Sequence, residues 1–115
     1  YLLDQKRIES GWTRLFGALE AIRELLRDQD VPFLLLIMPS RYIFQVNSGL
    51  HRDRFARSLI DRAVALARQK GIPYLNLVET LAAAGGEKAY RDDLHLNEQG
   101  NLAVGSALFE YLKAR

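Results

Sequence analysis

The chain has 115 residues, 49% apolar and 26% charged, the balance of an ordinary globular domain, which excludes a disordered tail, a collagen-like repeat and a disulfide scaffold. Cysteine is absent, so thiol chemistry and zinc–thiolate sites are excluded, and 16 basic and 14 acidic side chains are interleaved to a net charge of +2, unlike the one-signed face that grips nucleic acid. At 13.1 kDa the chain is expected to bury about two-thirds of its unfolded surface, enough for one modest core.

From Asp4 to Gln29 the apolar residues Ile8, Trp12, Leu15, Phe16, Leu19, Ile22, Leu25 and Leu26 recur at steps of three and four, which predicts one long amphipathic helix. The run 33–38, Phe-Leu-Leu-Leu-Ile-Met, lies between Pro32 and Pro39. A short, continuously apolar segment bounded by prolines reads as a strand buried on both faces. Residues 40–52 read as a loop, with Ser40, Asn47, Ser48 and Gly49 as turn formers. Asp53 is placed to cap a second helix with Phe55, Leu59, Ile60, Ala63, Val64 and Ala67 inward, ending at Gly71. Residues 72–77 predict a second strand, 78–84 a helical turn stopped by Gly85 and Gly86. Asn97 then caps a last helix to about Lys113 with Leu102, Ala103, Ala107, Leu108, Tyr111 and Leu112 inward.

This order predicts an α/β fold: a three-layer, flavodoxin-like parallel sheet with flanking helices, only partly present in this chain. Residues 1–115 read as a single domain without internal repeat or linker. Two strands are few for an open sheet, and an edge as apolar as 33–38 is expected to be covered by another chain or by further polypeptide. Tyr1 in place of an initiating Met points the same way, to a processed or truncated piece. No segment is long and apolar enough to span a membrane, no signal-peptide pattern opens the chain, and the compartment stays open.

The segment 90–101, Tyr-Arg-Asp-Asp-Leu-His-Leu-Asn-Glu-Gln-Gly-Asn, concentrates the chemistry. It follows the second strand, on the side where open α/β sheets bind ligands. Asp92, three residues before His95, can fold back to accept the Nδ1 proton and leave Nε2 as a general base. The same pair can equally brace a loop. A metal site built from Asp92, Asp93 and His95 is the weakest reading, because no second His or distant carboxylate has suitable spacing.

Asp92-X-X-His95 followed by Asn97, Gly100 and an apolar helix resembles the C-terminal block of the SGNH (GDSL-type) hydrolases, a family of esterases, lipases and acetyl-transferring relatives. The helix, the Phe-Leu-Leu-Leu-Ile-Met-Pro strand, the helix ending in Lys70-Gly71-Ile72-Pro73 and the Tyr-Leu-Asn-Leu strand extend that resemblance over essentially the whole chain. It implies a C-terminal part of a serine esterase or acyl hydrolase, with Asp92 orienting His95 and His95 activating a serine. A small-molecule or carbohydrate ester would be the substrate; no cofactor and no metal are implied. Asp93 is the competing orienter, and the match favours Asp92 by spacing. Pro39-Ser40-Arg41 followed by aromatic residues also resembles the branch that O-acetylates cell-envelope polysaccharides.

The family's Gly-Asp-Ser nucleophile block and its Gly and Gly-X-Asn-Asp oxyanion blocks do not occur here. Of the five serines, Ser10, Ser40, Ser48, Ser58 and Ser106, only Ser40 lies at a strand's carboxyl end, and it lacks the elbow that presents a nucleophile. A Gly-Asp-Ser block is therefore expected roughly 70 to 100 residues before Tyr1, from usual α/β domain sizes. Ser40 and Asn47 read as turn residues, and Trp12 as core. His51 with Arg52, Arg54 and Arg57 reads as a solvated helix start. Tyr42 and Phe44 either line an acyl or sugar pocket or anchor their loop. Gly85-Gly86, without a following Lys-Ser/Thr, reads as a plain turn. The alternative to an enzyme is a non-catalytic α/β interaction module that pairs through its open sheet edge.

Overall fold

The computed structural model describes residues 2–45 and 52–114. Helix α1 spans Leu2–Asp28, strand β1 Leu35–Ile37, a 3₁₀ turn Arg41–Phe44 and helix α2 Arg52–Gln69. Strand β2 spans Tyr74–Asn76, helix α3 Val78–Ala83, a second 3₁₀ turn Gly86–Ala89 and helix α4 Glu98–Lys113. The expected turn residues Asn47, Ser48 and Gly49, and His51, fall outside the described residues. Helix α2 begins at Arg52, so Asp53 lies in its first turn and is not the cap.

Helices α1 and α2 stop where the backbone turns left-handed. Gly71 has φ 64°, and Ile72 N–H reaches back to the Ala67 carbonyl at 2.9 Å, a bond that closes the α2 terminus and turns the chain into β2. Asp30 does the same for α1 with φ 57°, and Val31 N–H donates to the Leu26 carbonyl at 2.8 Å. Both strands are then entered from the same direction. They pair in parallel, Leu35 with Tyr74, Leu36 with Leu75 and Ile37 with Asn76.

The three-layer, flavodoxin-like sheet expected from the sequence is corrected by this topology. The described residues are mostly helical, with four α-helices and only a two-strand parallel sheet. Elsewhere the apolar spacing has a helical period, so only two segments are free to become strands. Each is trimmed to three residues, since Pro39 and Pro73 at their ends carry no N–H for a ladder.

Alternation along the strands divides the core. Leu35 and Tyr74 pack with Phe16, Ala67 and Ile72, between α1 and α2. Leu36 and Leu75 pack with Leu77, Leu81, Ala89 and Tyr90, against α3 and α4. On the second side, α4 comes close because Gly100 has no Cβ: one would meet the Ala89 carbonyl oxygen at 2.3 Å.

The predicted inward stripes are only half covered. A 27-residue helix is about 40 Å long, whereas a three-residue strand pair is about 10 Å. On α1, Phe16 is buried and Trp12 and Leu19 are half-buried, but Ile8, Leu15, Ile22 and Leu25 face out. Phe55 on α2 and Leu102 and Leu112 on α4, all expected inward, are exposed too, as is Phe109. Accessible surface totals 8226 Å², against roughly 6,400 Å² for a compact chain of this mass. The outer edge of β1 has no strand beside it among the described residues.

Candidate active site

Beyond β1 the chain passes through Met38 and buried Pro39 to Ser40, which precedes the 3₁₀ turn Arg41–Phe44. Buried Tyr90 anchors the opposite wall. Its hydroxyl donates to the Pro39 carbonyl at 2.5 Å, and its ring centroid lies 6.1 Å from that of Phe44. Burial pushes the Tyr90 phenol up to about 12. Phe44 therefore anchors its loop, one of the two roles expected for it.

Tyr90 and Leu96 form an isolated antiparallel bridge, and Arg91 N–H donates to the His95 carbonyl at 2.8 Å. Residues 91–95 are thus a tight loop with fixed ends. Asn97 anchors the start of α4: its Oδ1 accepts Gly100 N–H at 3.0 Å as the helix cap, and its Nδ2 donates to the Lys88 carbonyl at 2.7 Å. The expected cap is where the sequence placed it.

Within the loop, Asp92 Oδ1 accepts Leu94 N–H at 3.0 Å and His95 N–H at 2.8 Å, the local turn that an Asp side chain builds with its own succeeding backbone. That turn returns the imidazole to the same carboxylate. His95 Nδ1 lies 2.8 Å from Oδ1 and 2.9 Å from Oδ2 of Asp92. An ionised carboxylate only accepts, so the neutral ring donates from Nδ1 and keeps a lone pair on Nε2. The Leu94 amide, then the His95 ring and amide, hold the Asp92 carboxyl down at about 2.

Asp93 is turned away from His95. Its Oδ1 accepts from the Arg41 guanidinium, and its Oδ2 accepts the Tyr42 hydroxyl at 2.6 Å. Arg41 N–H also donates to the Asp93 carbonyl at 2.9 Å. The Tyr42 hydroxyl, and then Arg41, hold the Asp93 carboxyl below the usual carboxylate range. Neighbouring carboxylates in the sequence thus have separate partners, and the spacing that favours Asp92 agrees with the geometry. No cluster of three metal-ligating side chains occurs among the described residues.

The dyad lies open, with the His95 side chain 64% exposed and that of Asp92 52% exposed. His95 Nε2 has no hydrogen-bond partner among the described residues. No hydrogen bond joins it to a described serine, and Ser58 donates instead to the Phe55 carbonyl on α2. Among the described residues, no helix is long and apolar enough to cross a membrane.

In the sequence Arg41 stands out only within Pro39-Ser40-Arg41, and Tyr42 only as a pocket or anchor residue; neither signals a contact with Asp93. Their partner lies over fifty positions away, where spacing carries no signal; only the doubled Asp92-Asp93 hinted that one carboxylate needed a separate partner. No family model, curated protein or solved structure matches this chain.

Proposed function

We propose that Asp92 and His95 are the orienting acid and the general base of a serine-dependent site for ester hydrolysis or O-acyl transfer, of SGNH type, whose nucleophile lies in polypeptide beyond these residues. The observation that carries this reading is the bidentate approach of His95 Nδ1 to Asp92, at 2.8 and 2.9 Å, with Nε2 unbonded. In such a site Nε2 takes the serine proton as the hydroxyl attacks the ester carbonyl, then returns it to the leaving alkoxide. Asp92 holds the tautomer and stabilises the imidazolium formed between the two steps. Exposed, the pair gains little from electrostatics; covering it would strengthen both interactions.

The uncovered surface favours a serine-bearing segment packed over α1 and the β1 edge. It also favours the second reading, a module that recruits a partner through that edge. A fluorophosphonate probe separates the two. Applied to the polypeptide that contains this chain and a preceding Gly-Asp-Ser block, it labels that serine, and labelling falls with His95→Ala. Absence of any labelled serine favours the interaction module.

A further inference from the structure

Two adjacent carboxylates precede His95, and either has a spacing that can reach Nδ1. Consecutive side chains leave the backbone in different directions, so a ring paired with Asp93 would aim Nε2 elsewhere than a ring paired with Asp92. A base shared between them would have two orientations, and misaimed proton transfer is slow. The structure removes the choice. Both oxygens of Asp93 are occupied, one by Arg41 and one by Tyr42, and its carbonyl is tied to Arg41 N–H.

Arg41 reaches Asp93 at a cost. Its Nε is buried and has no hydrogen-bond partner among the described residues, which costs desolvation energy. The guanidinium is therefore held in place by its outer nitrogen on Asp93. Tyr42 completes the grip from the next position of the same 3₁₀ turn, and Tyr90 ties that segment to the loop through Pro39.

We propose that Arg41 and Tyr42 are positioning residues that hold Asp93 off His95 and so leave Asp92 as its single orienting partner. This rests on reading His95 as the base, and it adds a device that the Asp-X-X-His spacing does not contain. The adjacent carboxylate is kept out of the dyad by a clamp at the end of β1.

The test is the tautomer ratio of neutral His95, read from two-bond ¹H–¹⁵N correlation spectra of the whole 115-residue chain, with His51→Gln assigning the second histidine. In the parent, Asp92→Asn lowers the Nδ1–H to Nε2–H ratio about fivefold, the factor corresponding to one net hydrogen bond. In an Arg41→Met/Tyr42→Phe background the freed Asp93 takes the ring, and Asp92→Asn changes the ratio little. Tyr90→Phe weakens the same junction without freeing a carboxylate, and leaves the fivefold response intact. Should Arg41→Met/Tyr42→Phe fail to fold, Tyr42→Phe alone frees Asp93 Oδ2 and gives an intermediate response. An equal Asp92→Asn effect with and without the clamp overturns the proposal. So does a parent in which Asp93→Asn, and not Asp92→Asn, lowers the ratio. If neither substitution moves the ratio in any background, it is the dyad itself, and with it the proposed function, that fails.

Discussion

Gly100 lies so close to Ala89 that a Cβ on it would sit 2.3 Å from the Ala89 carbonyl oxygen and 3.1 Å from the Leu96 side chain. The same carbonyl accepts Asn97 N–H at 2.9 Å, so it cannot retreat without breaking the start of α4. Gly100→Ala is therefore expected to destabilise the chain by about 1–3 kcal/mol, the range for overpacking a close contact. Gly105, with nothing within 4 Å, should gain slightly from the same change through helix propensity. Urea unfolding of the two variants measures the contrast.

Asp30 and Gly71 close α1 and α2 in the same left-handed conformation, at φ 57° and 64°. Only one of them is a glycine. Asp30→Gly should raise stability by up to about 1 kcal/mol, while Gly71→Ala should lower it by a similar amount. Thermal or urea unfolding of the pair checks the opposite signs.

Tyr90 titrates at about 12 rather than at the ordinary phenol value of 10.0. A native state that prefers the neutral phenol retains its full advantage below pH 10 and loses it as pH rises toward 12. Stability should therefore fall through that window. Tyr90→Phe should remove this alkaline dependence and cost roughly 1–2 kcal/mol at neutral pH, through the unsatisfied Pro39 carbonyl. Urea midpoints from pH 8 to 11.5 for parent and variant give the comparison.

Asp92 moves the other way, from 3.8 to about 2. Between these values the native carboxyl binds fewer protons than the unfolded one, so its contribution is complete above pH 4 and disappears as pH falls to 2. A carboxyl ¹³C titration should place the Asp92 midpoint near 2. In His95→Ala it should rise but stay below its ordinary value, since the Leu94 amide is the first of its causes. A midpoint near 4 in the parent would contradict the loop geometry.

What the sequence disclosed depended on distance along the chain. Asp92 and His95 are three apart, Asn97 and Gly100 three apart, and Gly71 adjoins the end of its helix, so local stereochemistry made each pair legible. The heptad-like recurrence of Ile8, Leu15 and Ile22 was legible as a stripe too. Which part of a stripe is covered depends on what packs there, and a two-strand sheet covers Phe16 but not Leu15. The sheet was overread because apolar runs ending in proline resemble strands of any open sheet. Arg41 and Asp93 meet through tertiary structure, so beyond the doubled Asp92-Asp93 nothing near either residue announced the contact.

The proposed function makes His95, oriented by Asp92, the base for a serine that these residues do not supply. Initial rates of p-nitrophenyl acetate hydrolysis test this, measured for the isolated chain and for a polypeptide in which the Gly-Asp-Ser segment that the proposal expects precedes it. The isolated chain should do no better than free imidazole at equal concentration, because the proposed function places the nucleophile and the oxyanion donors in the joined segment. The joined polypeptide should turn over, collapse with His95→Ala, and lose up to about 10⁴-fold with Asp92→Asn. Robust turnover by the isolated chain, or a joined polypeptide indifferent to His95→Ala, would show that His95 is not the base for such a serine.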